Sequence, residues 1–180
     1  MKEVPKMNIE RDPESNIYDT NILIFESRFE SGNLGKAFQT SEFTYDLELR
    51  SDFGSLDPKL TQWFYFRIKN TKANKEYTIN ITNLYKPDSS YNQGMKPLVY
   101  SEKTRALDGK GWYRDGYEIR YCPSPHKTNR KGVVLSDQQQ YTLSFKIKFP
   151  YDLDTVYLSH CFPYTYSDLV KFLNDSCNIF

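Results

Sequence analysis

Chemistry in this chain would have to come from very few side chains. Its histidines and cysteines are His126, His160, Cys122, Cys161 and Cys177. A hydrolytic zinc site takes three protein ligands and keeps a fourth position open. Cys122 and His126 are spaced tolerably for a loop, and His160 and Cys161 complete the set on paper. His160 and Cys161, however, are neighbours in a segment that alternates as a strand. Their side chains leave opposite faces and do not readily share one ion. His126 is therefore read as a loop histidine, and His160 as a partly buried, hydrogen-bonded one. Glu26 and Glu30, in the stretch FESRFESGNLGKA (25–37), are the candidates for acid–base work. On a strand they share a face but lie roughly 13 Å apart, too far for the carboxylate pair of a glycosidase. Arg28 falls between them, so the expectation is a Glu–Arg–Glu charge ladder on a sheet surface, with a docking surface as the alternative. No nucleophile elbow, P-loop or dinucleotide fingerprint occurs. No catalytic and no metal-binding residue is assigned. The loop HKTNRKG gathers His126, Lys127, Arg130 and Lys131. It can face an acidic partner or simply be solvated.

The elements that position these residues read mainly as strands. Aromatics make up 16% of the 180 residues, with 15 Tyr and 12 Phe, and both types favour strands. Alternation marks Leu23–Phe29, Phe43–Arg50, Tyr77–Thr82, Tyr117–Cys122, Tyr141–Phe149 and Val156–Cys161. The run Trp63–Ile68 is apolar on both faces, which suits a central strand or one at a domain contact. Breaks such as SGNLG, KPDSSYNQG and LDGKG carry turn chemistry. The expected fold is all-β: an antiparallel β-sandwich with a short C-terminal helix. Residues 1–20 read as a flexible lead-in, 21–164 as the sandwich, and 165–180 as the helix. Thr165 or Ser167 would cap that helix, Asp168 would sit in its first turn, and Leu169, Phe172 and Leu173 would follow at helical spacing.

The formal net charge of +1 argues against a nucleic-acid partner. No apolar run of about 18 residues suggests a membrane span, and the polar N-terminus lacks the apolar core of a secretory signal. Three sparse cysteines read as reduced thiols of the cytosol.

Eight stretches occur in order: FESRFESGNL, YDLEL, QWFYFRI, the stretch from Tyr77 to Asn83, QGMKPLVYS, GWYRDGYEIRYC, YTLSFKIKF and FPYTYSDL. Together they resemble the N-terminal domain of the cytosolic carboxypeptidases, zinc enzymes best known for removing glutamates from tubulin. The resemblance runs from about Ile22 to Leu173. It implies a β-sandwich packed against a separate catalytic domain that carries the zinc, its His-x-x-Glu pair and the general base. This chain has no His-x-x-Glu, so by the resemblance it is a non-catalytic accessory domain and holds no cofactor itself. Its partners would be its own catalytic domain and tubulin or other acidic protein tails, in the cytoplasm, with microtubule or cilium association. The candidate contact residues are Glu26, Arg28, Glu30, Phe162, Tyr164 and Tyr166. The two phenylalanines of FESRF are expected in the core. The charged trio would cluster within the domain or at its contact with the catalytic domain. The alternative is a free-standing binding module for a protein such as tubulin, or for a carbohydrate, using exposed rings such as Trp112 and Tyr113.

Overall fold

The computed structural model describes residues 21–51, 61–125 and 138–177. The lead-in and the basic loop with His126, Lys127, Arg130 and Lys131 lie outside the described residues. The strands are β1 (Ile24–Glu26), β2 (Leu34–Ser41), β3 (Thr44–Leu49), β4 (Tyr65–Lys69), β5 (Glu76–Leu84), β6 (Leu98–Ser101), β7 (Tyr113–Arg114), β8 (Tyr117–Pro123), β9 (Tyr141–Lys148) and β10 (Val156–Ser159). Two α-helices join them, α1 (Glu102–Asp108) and α2 (Tyr166–Cys177). One sheet has the order β1-β4-β10-β6-β7, and the second has the order β2-β3-β5-β9-β8. The expected β-sandwich is therefore present. Among the described residues the named strands pair antiparallel except β3 and β5, which run parallel, with Tyr45 opposite Ile79. Their connection passes through β4 in the other sheet, and such a crossover is what a parallel pair requires.

Alternation explains why the sheets stack. Phe66 and Ile68 of β4, Val156 and Leu158 of β10, Tyr45 and Leu47 of β3, Ile79 and Ile81 of β5, and Phe145 and Ile147 of β9 all turn inward and are buried. Each such side chain contributes roughly 1.5–3 kcal/mol on burial, before entropy is subtracted. Tyr45 keeps its hydroxyl satisfied inside by accepting from the Leu23 backbone N–H at 2.9 Å. Burial pushes its pKa up to about 12.

The first expected strand is shorter than the alternation suggested. β1 ends at Glu26, and the chain then turns, with Gly32 N–H donating to the Phe29 carbonyl at 3.0 Å. Gly32 is required there, because a Cβ would lie 2.3 Å from the Ser27 carbonyl oxygen. Phe25 enters the core as expected, 5.2 Å from the Tyr45 ring. Phe29 does not; the turn carries it to the outside of the first sheet, where it meets Tyr65 edge-on at 4.9 Å.

Helix α1 and strands β2, β6 and β7 were not anticipated. Ser101 caps α1 by accepting from Thr104 N–H, and Gly109 closes it at φ 70°. Only Thr104 of this helix is buried, so no apolar stripe announces it. Ser101 also donates to the buried carboxylate of Asp154, whose other oxygen accepts the Lys103 N–H at 3.1 Å. This pins α1 to the loop that enters β10.

Candidate domain interface

The two outer faces of the sandwich differ in kind. The outer face of the second sheet is polar. Lys36 pairs with Glu48 at 3.5 Å, Asn80 donates to Asp46 at 2.7 Å, and Lys146 lies 3.0 Å from both Glu76 and Glu118. Such pairs on an exposed sheet are at home in water.

The outer face of the first sheet is aromatic. Register places Tyr157 directly opposite Tyr100 on one side and Arg67 on the other. Tyr65 lies 6.1 Å from Tyr157, 6.0 Å from Trp112 and 6.3 Å from Trp63, and Trp112 lies 5.4 Å from Tyr100. Phe29 joins from the turn, 5.8 Å from Tyr157. All of these rings are half-buried. Burial pushes the Tyr65 hydroxyl pKa up, with Tyr157 and Asp168 adding to the effect. The guanidinium of Arg67 sits 5.8 Å from the Phe29 ring centre and 6.0 Å from that of Tyr157. The outer face of the first sheet is thus a continuous cluster of half-buried rings, unlike that of the second.

The charged trio is arranged differently from a ladder. Arg28 folds back on Glu26, donating from Nη2 at 2.7 Å and from Nε at 3.0 and 3.1 Å. The backbone N–H groups of Ser27 and Arg28 donate to the same carboxylate. The Arg28 side chain holds the Glu26 pKa down to about 2, with the two backbone donors helping. Glu30 is not part of this cluster. The turn removes it from the strand, and its Oε1 accepts the N–H of Ser167 at 2.9 Å, which lowers its pKa. Glu30 thus binds the exposed N-terminal turn of α2, where a carboxylate is favoured by the unpaired amides and the helix dipole.

Of the two expected capping residues, Thr165 serves. Its Oγ1 accepts Asp168 N–H at 3.2 Å, and Asp168 accepts Thr165 N–H at 2.8 Å, a reciprocal capping box. The helix leaves its apolar residues uncovered. Tyr166, Leu169, Phe172 and Leu173 are exposed, as are Phe162 and Tyr164 ahead of it. Phe162 and Tyr164 border an open cavity of about 710 Å³, lined also by Trp63, Arg50 and Asn33. Asn33 Nδ2 donates to the Trp63 carbonyl at 2.7 Å and its Oδ1 accepts Tyr65 N–H at 3.0 Å, tying the turn to the edge of β4. The structure therefore brings Glu30, Phe162, Tyr164 and Tyr166 to one end of the domain. Glu26 and Arg28 pair with each other beside it.

Arg67, Tyr65 and Tyr157 on this face were missed as candidates, whereas Trp112 was named only as a ring of the alternative binding module. The signal available was the run Trp63–Ile68, apolar on both faces of a strand. His160 behaves as read from sequence: half-buried, with Nδ1 3.2 Å from the Tyr91 hydroxyl. Burial lowers its pKa. Among the described residues, no three His, Cys, Asp or Glu side chains converge as a metal ion would require. Among them, too, no helix is long and apolar enough to cross a membrane.

Comparison with known proteins agrees with this architecture. The family model for the cytosolic carboxypeptidase N-terminal domain matches residues 25–160. Cytosolic carboxypeptidase 2 of Xenopus tropicalis is 48% identical over 151 residues, covering 84% of this chain and 15% of the relative. The human protein of that name is 46% identical over 162 residues, 89% of this chain and 17% of its own length. A metallo-carboxypeptidase structure from Burkholderia cenocepacia shares the fold at a TM-score of 0.54 and 16% identity, covering 86% of this chain and 33% of that one. The chain thus spans less than a fifth of these two curated relatives, and within that span it belongs to the cytosolic carboxypeptidase family, as an N-terminal domain.

Proposed function

We propose that this domain is a non-catalytic accessory module. It docks its aromatic face and the apolar side of α2 against a carboxypeptidase catalytic domain, supporting that domain and shaping the approach of substrate. The observation that carries the reading is the contrast between the two outer faces, one aromatic and one charged. A free sandwich has no reason to leave rings on one side and ion pairs on the other. The exposed Phe162, Tyr164 and Tyr166, leading into an uncovered helix, extend the same surface in the direction the chain travels. Tyr164 and Tyr166 suit a contact with one wet edge.

On this reading the metal, which we take to be zinc, belongs to the catalytic domain, as do the groups that cut the peptide bond. The substrates would be acidic protein tails, tubulin among them, and the enzyme would work in the cytoplasm. The basic loop His126–Lys131 would guide such tails electrostatically. The test exchanges this chain for the matching segment of the full-length Xenopus relative and compares it with a Tyr164→Ala/Tyr166→Ala version. Hydrogen exchange at the junction should rise in the double variant; unchanged exchange would sink the docking role. The cluster of Trp112, Tyr100 and Tyr65 supports a second reading, a platform for a carbohydrate or for tubulin itself. Quenching of Trp112 fluorescence by oligosaccharides, or a stable complex of the 180-residue chain with tubulin, would favour it.

A further inference from the structure

Arg67 is the one feature of the aromatic face that an apolar partner does not explain. Its Nε is shielded from solvent and meets no hydrogen-bond acceptor. Register sets it opposite Glu26, yet that carboxylate is already occupied by Arg28 and two backbone amides. Its other neighbour across the sheet is Tyr157. Phe29 and Tyr157 frame the guanidinium, and its Nε finds no acceptor among the described residues. A shielded, unsatisfied cationic donor is costly, and a planar guanidinium fits a carboxylate in bidentate fashion.

We propose that Arg67 is the polar anchor of the docked face and receives a carboxylate side chain, Asp or Glu, from the catalytic domain packed on it. This rests on the accessory reading above. The choice of occupant comes from the layout. The start of α2 is held through Ser167 to Glu30, one residue from Phe29, and Phe29 lies beside Arg67. On the accessory reading, a catalytic domain joined through α2 would lie on the side of the domain that carries Arg67. Charge complementarity then requires an acid at the point of contact. Covering the face would also dehydrate the aromatic frame, which strengthens the attraction between the pair.

The experiment uses the same full-length chimera, with Arg67→Gln and Arg67→Lys made in it and in the 180-residue chain. The rate of proteolytic cleavage just after α2 reports how often the domains separate. Arg67→Gln should raise it at least about tenfold, the scale of losing one partner of a buried charge pair. Arg67→Lys should fall between, because charge is kept and the bidentate fork is lost. In the isolated chain both variants should unfold close to the wild-type temperature, since Nε makes no hydrogen bond there and only the contacts with the Phe29 and Tyr157 rings are altered. If Tyr164→Ala/Tyr166→Ala raises cleavage and Arg67→Gln does not, the anchor fails while the accessory reading stands. If neither raises it, the accessory reading fails as well. Equal destabilisation of the isolated chain by Arg67→Gln would make Arg67 a framework residue and overturn the proposal. So would Arg67-dependent binding of a polyglutamate peptide to the isolated chain, which would assign the carboxylate to substrate.

Discussion

Replacing Glu26 with Gln removes the carboxylate but keeps the shape of the side chain, and the structure sets the size of the effect. Five donor contacts converge on Glu26: two from Arg28 Nε, one from its Nη2, and the N–H groups of Ser27 and Arg28. They lower its pKa from the usual 4.5 to about 2. Taken at face value, that gap corresponds to about 3 kcal/mol of folding stability at neutral pH. It must be discounted. The Glu26 side chain is 15% exposed but that of Arg28 is 65% exposed, so water screens the pair, and residues two apart retain part of the attraction when unfolded. About 1 kcal/mol remains, or about 2–4 °C in Tm for a chain of this size. The folded pKa is depressed, so the contribution is full above the unfolded value near 4.5 and is lost as pH falls towards 2. Urea unfolding of wild type and Glu26→Gln at about pH 7 and about pH 2.5, followed by circular dichroism, should show a gap that closes at the acidic end. A gap of the same size at both pH values would mean that shape, not charge, sets the role of Glu26. No gap at neutral pH would mean that the pair contributes nothing.

Two further substitutions probe the framework that carries the docking face. Gly32→Ala puts a methyl group 2.3 Å from the Ser27 carbonyl oxygen and should cost at least about 2 kcal/mol, with Phe29 released from Tyr65; wild-type urea stability would refute the close approach. Ser101→Ala takes the acceptor from Thr104 N–H and a donor from buried Asp154. It should cost about 1–3 kcal/mol in the same assay, and a loss below about 0.5 kcal/mol would show that the cap and the Asp154 contact are dispensable.

Much of the sandwich was legible because its strands bury one face. Tyr141–Phe149 alternates so regularly that β9 could hardly be read otherwise, and Thr165 with Asp168 announced α2 through a local motif. Readings failed where the deciding contact was distant in sequence or too local to alter the pattern. β6 is four residues long with Leu98 and Val99 both buried, so it shows no alternation. The turn at Gly32 changed the face of Phe29 and separated Glu30 from Glu26 within a few residues. Arg67 was passed over because its frame comes from Phe29 and Tyr157, far away along the chain, and nothing local in FYFRI distinguishes it from an ordinary surface arginine. The parallel pairing of β3 with β5 depends on the excursion through β4, which periodicity cannot register.

The position of β10 has a consequence for how the protein is made. It is the last strand among the described residues but the middle strand of its sheet, with β4 on one side and β6 on the other. During synthesis, at about 5–20 residues per second, the β1–β4 and β6–β7 portions stay unbridged until Ser159 has left the ribosome. For that interval Phe66, Ile68 and Val99 border a gap in the sheet, with strand edges on both sides open to other chains. A nascent chain stalled or cut just before Val156 would hold every strand of the second sheet but lack the central strand of the first, the layer that covers it. Successful folding of this domain is therefore decided late, by the four residues of β10, and binding of a chaperone to nascent chains of increasing length should fall away only once that strand emerges.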